Sequence, residues 1–84
     1  MDWRGDRMVT FRLLEKTDHK VIYEYFPEGK EISGKVELDL DTGERKIIEK
    51  AEGYMSSYAF HALSRIEKYR QAGEFKETGM AAWY

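Results

Sequence analysis

The stretch SYAFHALSRIEKY, residues 57–69, places a histidine among residues that acid–base or nucleophilic chemistry uses. His61 lies four residues after Ser57 and three before Ser64, so the three are neighbours if the stretch is helical. A nucleophilic serine needs a base, a third group that orients the base, and an oxyanion hole. No acidic residue stands three or four positions from His61, and backbone N–H groups inside a helix are already hydrogen-bonded. We therefore predict no catalytic site here and expect that the chain is not an enzyme.

Two other groups resemble metal sites. In DLDTGE, Asp39 and Asp41 alternate ahead of Gly43, but an EF-hand loop has its glycine at the sixth position and an acid at the twelfth. Counted from Asp39, the glycine is fifth and the twelfth residue is Lys50, so the sequence favours a hairpin turn. His19 stands in a charged turn, KTDHK, and the chain has two His and no Cys, which argues against a closed zinc site. We predict no metal and no cofactor.

The elements that must position these residues follow from hydrophobic periodicity. Alternation of period two predicts four strands, at about residues 8–14, 20–26, 32–41 and 44–50. Apolar residues then recur at spacings of three and four, which predicts a helix at about residues 54–72 that ends before Gly73. The sequence thus predicts a single α+β domain, residues 1–84, in which one C-terminal helix packs across one face of a four-stranded antiparallel β-meander. A less regular tail, residues 73–84, closes it.

The two faces of this sheet are expected to differ. The residues predicted to line the face under the helix are Val9, Phe11, Leu13, Val21, Tyr23, Tyr25, Val36, Leu38, Leu40 and Ile47. The other face still carries Leu14, Ile22, Phe26 and Ile48, which is more apolar surface than a fully solvated face needs. On the helix, His61 falls at the rim of the apolar stripe and Phe60 falls on the face that should be wet. We expect either the tail or another chain to cover Phe60.

Composition limits the partners. Net charge is −2 with acidic and basic residues interleaved, so the basic excess of a nucleic-acid binder is missing and we expect no nucleic-acid partner. No run of residues is apolar enough to span a bilayer, and the N-terminal residues lack the pattern of a signal peptide. We predict a cytoplasmic protein without a membrane partner, of the size of small bacterial or phage regulatory proteins.

Three functional hypotheses remain. The first is a non-catalytic protein–protein interaction or regulatory module that binds another protein or itself as a homodimer, because aromatics make up 14% of the chain and exceed what one small core requires. Its candidate surface is Phe60, Leu14, Ile22, Phe26, Ile48, Trp83 and Tyr84. The second is a small-molecule binder with a pocket between helix and sheet lined by Tyr23, Tyr25, Tyr58 and Tyr69. The third, an enzyme, is the least supported.

Overall fold

A computed structural model of the chain describes residues 7–83. Five strands and one helix make up the described part of the fold. In chain order they are β1 (Arg7–Lys16), β2 (Lys20–Pro27), β3 (Gly34–Asp39), β4 (Arg45–Glu49), α1 (Ser57–Ala72) and β5 (Thr78–Trp83). The strands form one sheet in the order β4-β3-β2-β1-β5, and every neighbouring pair is antiparallel. The helix α1 packs across one face of this sheet.

The predicted α+β architecture is confirmed, but the strand count of four is wrong. The tail predicted to be irregular, residues 73–84, contains β5, which pairs with β1 from Arg7 opposite Trp83 to Arg12 opposite Thr78. This strand adds a second neighbour to β1, so the sheet extends beyond the predicted meander on that side. Tyr84 lies outside the described residues.

Polar side chains fix the hairpin turns. Between β1 and β2, the Thr17 hydroxyl accepts hydrogen bonds from the N–H groups of His19 and Lys20 at 3.2 and 3.1 Å. Between β3 and β4, Asp39 Oδ1 accepts hydrogen bonds from two successive N–H groups of the turn, at 2.8 and 2.9 Å. These bonds hold the pKa of the Asp39 carboxyl below its usual range. Gly43 closes this turn with a φ of +80°, a conformation that favours glycine.

The helix begins at Ser57 rather than at the predicted residue 54. It ends where predicted, because Gly73 adopts the left-handed conformation with φ +80° and its N–H donates to the Arg70 carbonyl at 3.2 Å. Of the predicted apolar stripe, the helix buries Tyr58, Ala59, Ala62, Leu63 and Ile66 against the sheet, whereas Met55 precedes the helix and is 63% exposed. His61 and Phe60 both lie outside that stripe.

The core forms between α1 and one face of the sheet, as the alternation predicted. Its fully buried strand residues are Val9, Phe11, Val21, Tyr23, Tyr25, Val36 and Leu38. Leu13, Leu40 and Ile47 are partly buried against this core. The rings of Phe11 and Tyr23 meet edge to face with centroids 5.5 Å apart, a favoured geometry for aromatic pairs.

A close approach at Gly79 allows β5 to join the sheet. Gly79 lies opposite Phe11 in the ladder, on the face that α1 covers. A side chain at this position would overlap the Tyr69 hydroxyl and the Phe11 ring. Because glycine has no side chain, the Phe11 ring and the Tyr69 hydroxyl can lie directly against β5 at this position.

We expect Gly79→Ala to lower the free energy of unfolding by about 1–3 kcal/mol, because overpacking forces neighbouring side chains to shift. Urea unfolding measures this change. Gly53→Ala is the control. Gly53 has a φ of +83°, so alanine there costs free energy through backbone strain, but nothing lies within 4 Å of an added Cβ. In a Phe11→Leu background the cost of Gly79→Ala should shrink while that of Gly53→Ala stays the same. Equal costs in both backgrounds would contradict steric overlap.

Candidate protein-interaction surface

The face of the sheet opposite α1 is the candidate interaction surface, and we call it the open face. Side chains alternate along each strand and directly paired residues share a face. The ladders therefore assign to the open face the side chains of Met8, Thr10, Arg12, Ile22, Glu24, Phe26, Lys35, Glu37, Lys46, Thr78, Met80 and Ala82. No described element packs against this face.

A charged row crosses the middle of the open face. Arg12 Nε lies 2.9 Å from Glu24 Oε1, and the Ser33 hydroxyl donates to the other oxygen of Glu24 at 2.7 Å. These partners hold the pKa of the Glu24 carboxyl below its ordinary value, with the Ser33 hydrogen bond as the larger cause. The row continues to Lys35, whose ammonium lies 3.8 Å from a Glu49 oxygen. Its charges are therefore paired within the chain.

An apolar row lies beside this charged row, toward the end of the sheet where β5 terminates. Met80, Thr10 and Phe26 stand directly opposite one another on β5, β1 and β2, and Met8 and Ala82 form the next pair along. Met80 is 52% exposed. We call Met8, Thr10, Phe26, Met80 and Ala82 the Met80 patch. It is an apolar area that reaches the edge strand of the sheet.

The two edges of the sheet differ in chemistry. The β4 edge carries Arg45, Lys46 and Glu49, and its pairing with β3 is interrupted by a register shift next to Val36. The β5 edge has the sequence TGMAAW and no charged residue. Charges and bulges are the usual means of preventing edge-to-edge pairing. The β4 edge therefore has this protection and β5 has none.

The residues predicted as one interaction surface are distributed over different parts of the molecule. Ile22 and Phe26 lie on the open face. Leu14 and Ile48 are exposed and stand at the two register shifts of the sheet, in β1 and β4. Trp83 lies on the opposite side of β5, where the helix is. Tyr84 was also part of the predicted surface and lies outside the described residues.

Phe60 is 51% exposed on the outer side of α1, away from the open face. Of the tail residues that the structure describes, Trp83 approaches the helix, but it stacks on the His61 ring with centroids 3.8 Å apart. The Trp83 ring also meets Tyr58 edge to face at 5.3 Å. The described tail thus packs beside His61 and leaves Phe60 half exposed.

The four tyrosines proposed to line a pocket are engaged within the fold. Tyr23 and Tyr25 are fully buried. The Tyr23 hydroxyl donates to the Lys76 carbonyl at 2.5 Å, and the Tyr25 hydroxyl accepts from the Ala51 N–H at 2.8 Å. Tyr58 donates to a Glu28 carboxylate oxygen at 2.5 Å, and Tyr69 covers Gly79. This geometry gives no support to small-molecule binding between helix and sheet.

The residues first considered for chemistry have structural partners. His19 Nδ1 lies 3.0 Å from Asp41 Oδ2 at the exposed end of two neighbouring turns, while the Asp39 carboxylate is used by its own turn. The Ser64 hydroxyl accepts a hydrogen bond from Arg45 at 3.4 Å. Within residues 7–83, no group of three His, Asp or Glu side chains is arranged to hold a metal ion.

Sequence reasoning missed Met8, Met80 and Ala82 as surface residues. The signal for them was the alternation of Thr78, Met80 and Ala82 with the small residues Gly79 and Ala81. This signal is weak, because glycine and alanine are uncommon in strands. The pairing with β1 is what places these residues on the open face.

Comparisons with known proteins add no assignment. The chain matches no protein-family model, and it shows no significant similarity to a curated protein or to a solved structure. Across residues 7–83, no helix is both long and apolar enough to cross a bilayer. The function of the chain must therefore be inferred from its own geometry.

The buried tyrosines predict alkaline sensitivity. Burial is the main cause that raises the pKa of Tyr23, Tyr25 and Tyr58 above the ordinary value of about 10. A raised pKa in the folded state contributes stability that is fully present below about pH 10 and is lost as the pH rises toward the folded-state pKa. We expect the free energy of unfolding to fall above pH 10, together with the appearance of tyrosinate absorbance.

Tyr23→Phe isolates one of these groups. At neutral pH it should cost about 1 kcal/mol, because the Lys76 carbonyl loses its donor. Above pH 10 its stability should fall less steeply than that of the unaltered chain. A fall of equal steepness would show that Tyr23 does not contribute.

Proposed function

We propose that this protein is a non-catalytic protein–protein interaction module that self-associates, and that the Met80 patch is part of the surface it uses. The observation that carries the proposal is the position of this patch. It combines exposed apolar side chains on the open face with an edge strand that has no charged residue. Exposed apolar groups next to an unprotected edge are typical of association surfaces.

The size of the open face supports a reversible association. Five strands about 4.8 Å apart and about six residues long at about 3.3 Å per residue give a face of about 500 Å². A standard specific interface buries about 800 Å² on each partner. The face alone is thus smaller than a stable interface requires, so association through it should be weak and should gain from contacts at the adjoining edge.

The charged row does not oppose association through the open face. Its charges are already paired within one chain, so a partner need not neutralise them. Each pair is at least partly exposed, and exposed pairs contribute little to affinity. The apolar part of the surface would then supply most of the binding free energy.

Met80→Lys tests the proposal. We expect sedimentation equilibrium of the unaltered chain to show a monomer–dimer equilibrium, and we expect Met80→Lys to raise its dissociation constant by about tenfold or more, since a charge must then be desolvated in the contact. Met55→Lys is the matched control, because Met55 is 63% exposed but lies outside the sheet, just before α1.

A strictly monomeric chain at millimolar concentration would overturn self-association. If Met80→Lys and Met55→Lys weakened the dimer equally, a contribution of the Met80 patch would be ruled out.

A further inference from the structure

The backbone of β5 offers a set of hydrogen-bonding groups that point away from the sheet. In an antiparallel ladder, the N–H and C=O of one residue point to the same side and those of the next residue point to the other. The Leu13 N–H donates to the Glu77 carbonyl at 2.7 Å, whereas the Met8 carbonyl accepts from Glu28, next to β2, at 2.8 Å. The backbone N–H and C=O groups of the odd-numbered residues of β1 up to Leu13 therefore point toward β5.

The same alternation applies to β5. Gly79, Ala81 and Trp83 are paired with Phe11, Val9 and Arg7, so their backbone groups face β1. The N–H and C=O groups of Thr78, Met80 and Ala82 must then point outward. No strand among residues 7–83 lies beyond β5 in the sheet.

Resting on the proposed self-association, we infer that two copies of the chain pair antiparallel through their β5 edges, with Met80 directly opposite Met80 of the second copy. This register places Thr78 of each copy opposite Ala82 of the other. In this register all three residues with outward-pointing backbone groups stand opposite such a residue of the second copy. A shift by two residues in either direction leaves only two of them with such a partner. The register forms six backbone hydrogen bonds, because each of the three matched pairs exchanges two.

The charges near the proposed two-fold axis support a second copy as the occupant. In this register Glu77 lies opposite Trp83 of the second copy, and Trp83 pairs in turn with Arg7. Glu77 and Arg7 of the second copy thus share one row and one face, about 10 Å apart between Cα atoms at two strand spacings. Like charges are kept apart, since the two Glu77 residues stand six positions, or about 20 Å, from each other along the strands.

The association closes at two copies. A two-fold contact uses the same edge of both chains, so the free edges of the resulting ten-stranded sheet are both β4. Those edges carry Arg45, Lys46 and Glu49 and the register shift that discourages further pairing. The two Met80 patches lie side by side across the axis, and the paired Met80 side chains contact each other as cross-strand neighbours on the open face.

Met80→Pro tests this pairing. Proline removes an outward-facing N–H and leaves the β1 ladder intact, and Gly79 before it tolerates the backbone restriction that proline imposes. Two hydrogen bonds of the six are lost at the axis, so we expect the dissociation constant to rise by about ten- to a hundredfold in sedimentation equilibrium.

Arg45→Pro is the matched control. The Asp39 N–H donates to the Glu44 carbonyl at 2.9 Å, so Glu44 faces β3 and the N–H of Arg45 points outward from the β4 edge. We expect this variant to dimerise like the unaltered chain. If Arg45→Pro weakened the dimer as much as Met80→Pro, pairing through β5 would be refuted.

Amide hydrogen exchange gives a second measurement that needs no substitution. The N–H groups of Thr78, Met80 and Ala82 should exchange slowly at concentrations that favour the dimer and rapidly on dilution. Fast exchange of all three in a confirmed dimer would overturn the inference, even if Met80→Pro failed to fold.

Charge exchange tests the register. Glu77→Lys should raise the dissociation constant by about two- to fivefold, as expected for losing an exposed charge pair at each of two symmetric positions. Arg7 also interacts with Tyr58 of its own chain, so Arg7→Glu alone is the reference. Adding Glu77→Lys to Arg7→Glu should lower the dissociation constant, because the pair is then reversed. Absence of rescue would contradict this register.

The outcomes separate this inference from the proposed function. A chain that stays monomeric at all concentrations would overturn both. A dimer that withstands Met80→Pro, but dissociates when the face residues Ile22 and Phe26 are both changed to lysine, would refute edge pairing and leave self-association standing.

Discussion

The fold depends on the packing of Phe11 between Tyr23 and Tyr69. Phe11 stands in β1, which is hydrogen-bonded to β2 on one side and to β5 on the other, and its ring contacts an aromatic residue from β2 and another from α1. This packing holds the helix at a fixed distance above the sheet. It also leaves no room for a side chain at Gly79, so the sequence after the helix can pair with β1 only where glycine stands. The edge strand, and with it the Met80 patch, follows from this one contact.

Local patterns were sufficient for most of the fold. Strict alternation in VELDL and KVIYEYF determined both the strands and the face that the helix covers, because each strand is buried on one side only. The stripe through Tyr58, Ala62 and Ile66 determined the helix, and Gly73 determined its end. The turn at Asp39 was equally readable, since an aspartate ahead of a glycine supplies both the capping oxygen and the left-handed residue that a tight turn requires.

The features of the fold that the sequence did not predict are those that depend on contacts between residues distant in sequence. TGMAAW has little strand propensity, and its conformation is determined by the partner strand at the other end of the chain. Tyr54 fits the helical spacing but lies before the helix, where its ring packs on Tyr58 from outside. Trp83 was grouped with exposed residues because its contact with His61 depends on the same long-range pairing.

The pairing of β1 with β5 also has a consequence for synthesis on the ribosome. Arg12 and Thr78 are partners, yet Thr78 is added 66 residues later, which takes about 3–13 s at ordinary translation rates. Throughout that interval one side of β1 lacks its partner while the hairpin of β1 and β2 can already form. Completing the sheet closes the longest loop in the chain, a step that high contact order makes slow. The nascent chain therefore has two unprotected edges in succession, first β1 and later β5.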